Sequence, residues 1–318
     1  MFFLLANIIL ISGFGLFLKD ARNRRHRLNP IGFINYLTAF LISAGFVALK
    51  GSLAFTEWTF AFGFANGVTY ATGFALVTLG IRLSGVVVTI AIVRLSVVVP
   101  ILFSILFWNE MPNAWQIIGI VLACSALPLL STKTRSEISS LSPIVQSEGR
   151  KPPTRRRSYD GASCSNLPPF FRVGKGTEGL GIFVIAILLI NSGISRLAMK
   201  AFNEMCPSEQ KPMYLLFLFG ITATAYAAVC IYQKAVPTRW ENTYGVVIGL
   251  CNVGGSWAFL KALDRVDALI AFPVSGSGGV LFTMLVGISL LGERLNRKSM
   301  VGVIASIFAL ILVNLKSE

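Results

Sequence analysis

The sequence predicts an all-α integral membrane protein of ten transmembrane helices, arranged as two inverted-topology five-helix repeats. Three observations lead there. Of 318 residues, 54% are hydrophobic and only 13% charged, with a mean hydropathy of +0.72; a soluble domain carries roughly 25% charged residues. Ten separate runs are apolar enough to cross a bilayer, which takes about 20 residues each. Residues 72–124 also match 255–307 at one constant offset of 183.

The spans follow in order. The first, 2–18, has no basic residue before it, five in 19–29 after it, and no small-residue cleavage site. It therefore reads as an uncleaved span with an external N-terminus rather than a secretory signal. Runs 30–50, 57–81, 84–108 and 113–131 complete the first half. Runs 179–202, 211–233, 241–263, 267–291 and 299–315 make the second. Between them, 132–176 is rich in Ser, Pro and Arg, including Arg155-Arg156-Arg157, and reads as a disordered linker too polar to bury. The domain division is thus 1–131, linker 132–176, and 177–318.

Lys and Arg number 28 against 14 Asp and Glu, a formal charge of +14. Loops following the odd-numbered spans hold 20 of those 28, the opposite side six, and Arg94 and Arg196 lie within spans. The positive-inside rule puts the linker in the cytoplasm and both termini outside, in the plasma (inner) membrane. The charge is a topology signal, and no nucleic-acid partner is expected. The partners expected are the bilayer and a small-molecule metabolite. Cys124, Cys164, Cys206, Cys230 and Cys251 form no CxxC pair, and the one histidine, His26, lies in a basic loop. No metal, cofactor or disulfide framework is predicted.

At the offset of 183, Arg82 falls on Arg265, Glu110 on Glu293, Asn113 on Asn296 and Gly119 on Gly302. Phe74-Ala75 falls on Trp257-Ala258, and Ser12-Gly13 resembles Ser192-Gly193 near the first span of each half. Five spans per copy is an odd number, so the second copy enters the membrane upside down, and the substrate site of such a repeat lies between the copies near the midplane. A fused repeat supplies both halves in one chain, so a monomer is expected.

Two segments close the repeats: Arg94-Leu-Ser-Val-Val-Val-Pro100 through Trp108-Asn-Glu110 to Gly119, and Ala271-Phe-Pro273 through Leu291-Gly-Glu-Arg-Leu295 to Gly302. They resemble the "P…GER(L)…G" ends of EamA-type domains in the drug/metabolite transporter superfamily. The first copy departs from that pattern, with Asn109-Glu110-Met111 in place of Gly-Glu-Arg. The resemblance implies two five-helix domains and a transporter. Pro100, Glu110, Gly119, Pro273, Glu293 and Gly302 are its structural motif, each glutamate closing a span before the next helix begins, where a carboxylate meets a favourable dipole.

Arg94 is the strongest site candidate. It sits mid-span among Ile92, Val93, Leu95 and Val97, and no Asp or Glu lies at comparable depth in any span. An ionised side chain there costs about 2.5–3.5 kcal/mol on insertion scales, so it is expected to face a cavity and bind an anion or carboxylate. Arg196, nearer a surface, is expected to bind substrate or to snorkel toward Glu204. In Pro273-Val-Ser-Gly-Ser-Gly-Gly279, a proline followed by glycines predicts either a kinked, unwound stretch offering Ser275 and Ser277, or close helix packing. Ser277 is the offset counterpart of Arg94. Asn252 with Trp257, and Asn191 with Ser195, are further candidates for a substrate amide, hydroxyl or ring contact, with hydrogen bonding between helices as the alternative for each. Other polar residues near mid-span are Asn66, Thr69, Tyr70, Ser192 and Ser256, while Asn35-Tyr36 is open to a polar contact of the same kind or to an interfacial anchor.

The expected function is secondary transport of an anionic or zwitterionic metabolite by alternating access. Small multidrug relatives within the resembled superfamily carry a first-span glutamate for proton exchange; span 1 here has no acid. The alternatives are a proton-coupled exporter of broad specificity and a non-transporting scaffold acting through the linker. No nucleotide-binding loop, HExxH helix or serine–base constellation is present, so neither an ATP-driven pump nor an enzyme is expected.

Overall fold

The computed structural model describes residues 1–24, 26–50, 55–84, 95–108 and 178–291, with Thr89, Ile92, Val93 and isolated positions of 113–125 and 301–312. Arg94, Glu110, Glu293, Gly302, the linker and most of spans 113–131 and 299–315 lie outside them. Every long element among the described residues is an α-helix. The first half has α1 (Phe2–Asn23), α2 (Leu28–Lys50), α3 (Glu57–Ser84) and α4 (Val98–Phe107). The second has α5 (Glu178–Met205), α6 (Lys211–Tyr232), α7 (Arg239–Leu263) and α8 (Ala268–Leu291). Five of them contain runs long and apolar enough to cross a membrane, in 28–49, 57–77, 180–205, 208–232 and 239–263. Shorter apolar stretches fill 2–18, 98–107 and 268–279.

Local chemistry sets the helix ends. Thr238 caps α7 reciprocally: its Oγ1 accepts from the Glu241 N–H, while the Glu241 carboxylate accepts from the Thr238 N–H. Such a box satisfies two donors that a helix start leaves unpaired. α6 opens behind a 3-10 turn at Ser208–Gln210 with Pro212 in its first turn, where a proline sacrifices no helical hydrogen bond. Past its far end, Lys234 turns the chain away with a φ of 48°, a left-handed residue closing the helix.

Burial is inverted relative to a soluble protein. Phe2, Leu5, Phe60, Ile182, Phe183 and Ile231 are exposed, whereas Asn7, Asn35, Asn66, Thr222 and Ser277 are buried. The outer face is apolar enough for lipid, and polar side chains tie helix to helix inside. This is a multi-pass membrane protein.

Packing partners recur in pairs. α1 lies antiparallel to α7, with Asn7 at Gly255, Gly13 at Cys251 and Asp20 at Tyr244. α5 lies antiparallel to α3 in the same way, with Ser195 at Asn66, Asn191 at Thr69 and Leu188 near Gly80. α7 runs parallel to α2: Gly245 meets Ile31 and Ile34, and Gly249 meets Asn35 and Thr38. α3 runs parallel to α6: Gly63 meets Tyr214 and Phe217, and Gly67 meets Leu218 and Ile221. The four α2 residues and the four α6 residues are related by +183, and the two glycine pairs by +182. α2 and α6 face each other antiparallel, with Asn29 bonded to Gln233 and Tyr36 against Tyr226. α1 on α8 is matched by α5 on α4, and α4 meets α8.

The expected unwinding at Pro273 is not found. α8 continues through the proline. Ser277 Oγ donates back to the Pro273 carbonyl at 2.7 Å, Gly278 lies against Ile8, and Ser12 Oγ donates to the Gly279 carbonyl at 3.0 Å. Close packing of small residues against α1 keeps the helix regular, which is the second of the two readings the sequence allowed.

Candidate functional site

Among the described residues, a polar cluster lies where α3 packs on α5 and α6. Asn66 is its hub. Its Nδ2 donates to the Tyr214 hydroxyl at 2.6 Å, and its Oδ1 accepts from Ser195 Oγ at 2.6 Å and Thr69 Oγ1 at 3.1 Å. One helical turn along, Asn191 Nδ2 donates to the Thr69 carbonyl at 3.0 Å, and Thr72 Oγ1 donates to Asn191 Oδ1 at 2.9 Å. Asn191 and Ser195 therefore share one face of α5, as residues four apart do, and both are used against α3. Both were offered as substrate contacts or as hydrogen bonds between helices, and here they make the latter; the role of Asn66 as hub was not expected.

Beside the hub, the half-buried Tyr70 lies with its hydroxyl against Ser256 of α7 and within electrostatic reach of Arg196. Arg196 Nη2 donates to the Val93 carbonyl at 3.2 Å. It does not run out to Glu204, which accepts instead from Lys200 Nζ at 2.5 Å. That correction has a geometric cause: Lys200 is one turn from Glu204, whereas Arg196 stands eight residues away, about 12 Å along the helix. A phenol and a serine hydroxyl thus meet between α3 and α7, with the guanidinium of α5 within electrostatic reach. Such a set suits a carboxylate or another anion with polar substituents.

A second polar group joins α1, α7, α8 and α2. Asn7 Nδ2 donates to the Gly255 carbonyl at 2.9 Å, and Ser275 Oγ donates to Asn7 Oδ1 at 2.5 Å. Asn252 Nδ2 donates to Asn35 Oδ1 at 3.2 Å. Trp257 stacks on Phe46, with centroids 5.6 Å apart and planes 6° from parallel, and Lys261 lies over its ring at 5.7 Å. Asn252 and Trp257 both turn to α2, but to separate partners. Ser277 is fully buried with its hydroxyl engaged in its own helix. Pro100 and Gly119 are buried at α4 and beyond it.

Aromatic rings line the contact between the halves. Tyr36 and Tyr226 lie 5.0 Å apart and Phe74 and Tyr226 5.8 Å, while Phe202 and Tyr214, 4.2 Å apart, stack within the second half. Sequence inspection did not pick out Asn7, Tyr214 or the Gly63/Gly67 and Gly245/Gly249 pairs. The glycine spacing G-x-x-x-G, present at equivalent places in both halves, is the signal that would have found the last.

Arg196 apart, the charged hydrogen bonds among the described residues lie near helix ends. Arg27, in the α1–α2 loop, grips Glu241, and the Tyr244 hydroxyl donates to Asp20, which also accepts from Arg24 Nε at 3.0 Å. The hydrogen bond from Tyr244 holds the Asp20 carboxyl below the usual carboxylate range. Elsewhere Lys211 bonds Asp264. Among the described residues no group of His, Cys, Asp and Glu is arranged to hold a metal.

Comparison with known proteins bears on the family and the fold. The family model described as the EamA-like transporter family matches residues 1–132 and 179–315. An uncharacterized protein of Haemophilus influenzae is 24% identical over 310 residues, spanning 92% of this chain and 90% of that one. The multidrug resistance protein EbrA of Bacillus licheniformis is 25% identical over 32% of this chain and 95% of its own length. The spermidine export protein MdtI of Klebsiella pneumoniae is 31% identical over 24% of this chain and 69% of its own. A solved crystal structure shares the fold with a TM-score of 0.70, at 12% identity, over 98% of this chain and 95% of that chain.

Proposed function

Because this chain belongs to the EamA-like transporter family, we propose that it is a secondary transporter of a small anionic or zwitterionic metabolite. It works by alternating access between two inverted five-helix halves, 1–131 and 177–318, joined by the cytoplasmic linker 132–176, with both termini outside. The two matched regions fall on those halves. The paired packing supports inversion. α1 is antiparallel to α7, α7 parallel to α2, α2 antiparallel to α6, α6 parallel to α3, and α3 antiparallel to α5. Following that chain of contacts, α1 and α5 run in opposite directions although each opens its half.

One observation carries the substrate class. Arg196 donates to the carbonyl of Val93, the residue before Arg94, and lies within electrostatic reach of Tyr70. Every charge at mid-depth in the sequence is positive, since no Asp or Glu lies mid-span. Positive side chains at that depth favour a negatively charged partner group. Arg94 and Arg196 hold the carboxylate in this reading; Tyr70, Ser256, Asn252, Ser275 and Trp257 contact the remainder. The names of EbrA and MdtI favour a second reading, export of drugs or a polyamine. EbrA aligns over nearly its whole length with about a third of this chain, so a single short relative corresponds to less than one half.

Thermal-shift screening of the purified protein against carboxylates, amino acids, polyamines and lipophilic cations tests the two. A carboxylate that stabilises the wild type but neither Arg94→Gln nor Arg196→Gln supports the first. Stabilisation by spermidine or a lipophilic cation, unchanged in both variants, overturns it.

A further inference from the structure

Two inter-half contacts at opposite ends of the bundle occupy equivalent positions but use different chemistry. At one end, Arg27 precedes α2 and grips the first turn of α7. Its main-chain N–H and Nε donate to Glu241 Oε1 at 3.1 and 3.0 Å, and its Nη2 donates to Glu241 Oε2 at 2.9 Å and the Val236 carbonyl at 2.6 Å. Glu241 is almost wholly buried, and it also completes the α7 cap through Thr238.

At the other end, Gln210 precedes α6 and grips the first turn of α3. Its Oε1 accepts from the Thr56 N–H at 3.1 Å, Thr56 Oγ1 at 3.2 Å and Thr59 Oγ1 at 2.5 Å. Thr56 Oγ1 in turn caps the Thr59 N–H at 3.3 Å, as Thr238 caps Glu241. The offsets are those of the packed helices: Gln210 is Arg27 plus 183, while Thr238 and Glu241 are Thr56 and Thr59 plus 182. Because α2 and α6 are antiparallel, the two contacts lie at opposite ends.

We propose that these contacts are the two gates of the transporter: an ion-pair gate at Arg27–Glu241 and a neutral gate at Gln210–Thr56/Thr59. The proposal rests on the transporter reading above. Each gate ties a loop of one half to the capped third helix of the other, so separating the halves at that end must break it. One breaks while its twin holds. Charge-assisted hydrogen bonds are roughly twice as strong as neutral ones, so the Arg27–Glu241 end is the one that opens less readily at rest. The unequal chemistry biases a pair of halves that the packing would otherwise leave balanced.

Native cysteines report on both gates. Cys206 is buried and accepts a weak hydrogen bond from Thr56 Oγ1 at 3.9 Å. Cys230 is buried within electrostatic reach of Arg27 and Glu241. Full-length protein in liposomes is labelled with a maleimide and each cysteine is read separately by mass spectrometry. Glu241→Gln keeps the shape and removes the charge; it is expected to raise Cys230 labelling about tenfold, the effect of losing a charged hydrogen bond, and to lower Cys206 labelling. Gln210→Ala is expected to do the reverse. A rise at both cysteines in one variant, or a change at neither, overturns the gates. Flux is measured separately: reciprocal labelling in a protein that moves no metabolite overturns the transporter reading and leaves the two contacts as the exchanging pair.

Discussion

The carbonyl oxygen of Asn35 stands 2.7 Å from the position a Cβ on Gly249 would take. Its counterpart is the Leu218 carbonyl, 2.9 Å from the same position on Gly67. Backbone cannot move aside as a side-chain tip can, so both helix pairs depend on glycine there. Gly249→Ala and Gly67→Ala are each expected to destabilise by about 1–3 kcal/mol, the usual range for overpacking a filled contact. Gly45, with nothing within 4 Å of its would-be Cβ, is the control, and Gly45→Ala is expected to leave the melting temperature level or raised. Thermal unfolding in one detergent compares the three.

Asn66 connects three helices through one amide. Asn66→Leu leaves the hydroxyls of Tyr214 and Ser195 without that partner inside the bundle. Hydrogen bonds between membrane helices are worth about 0.6–2 kcal/mol each, so a loss of about 1–3 kcal/mol is expected. Restoring one end with Ser195→Ala in the same chain should recover part of it. A double variant as damaged as the sum of the singles would mean that Ser195 and Asn66 do not interact.

Asp20 gives the loop end of α1 a measurable pH dependence. The Tyr244 hydroxyl and Arg24 keep its carboxylate ionised below the usual range in the folded protein. Unfolded, it titrates near about 3.9. The contribution is therefore fully present above that value and is lost as pH falls through the lower folded pKa. The gap in melting temperature between wild type and Asp20→Asn should be constant above about pH 5 and close on acidification. A gap that persists far below pH 4 would show that the asparagine acts through packing instead.

Much of this fold was legible because membrane helices announce themselves by composition. The expected spans 30–50, 57–81, 179–202, 211–233, 241–263 and 267–291 each coincide with a helix, with ends differing by a few residues. Ends depend on local caps such as Thr238 and Glu241, which a hydropathy pattern does not register. The site was less legible. Asn191 and Ser195 could be paired because a four-residue spacing fixes their common face. Asn66 and Tyr214 are 148 positions apart, and only folding brings them together. Pro273 left two readings open for a physical reason: a proline weakens a helix, but contact of Gly278 and Gly279 with α1, which sequence does not register, keeps this one continuous.

The most direct measurement is flux of a radiolabelled carboxylate, chosen by thermal shift, into proteoliposomes against spermidine as the competing cargo. The carboxylate should cross down its gradient without nucleotide, and Arg94→Gln and Arg196→Gln should each slow it about tenfold or more, as removal of a charged hydrogen bond does. Spermidine crossing instead, at a rate that neither variant alters, would contradict a site built around those two arginines.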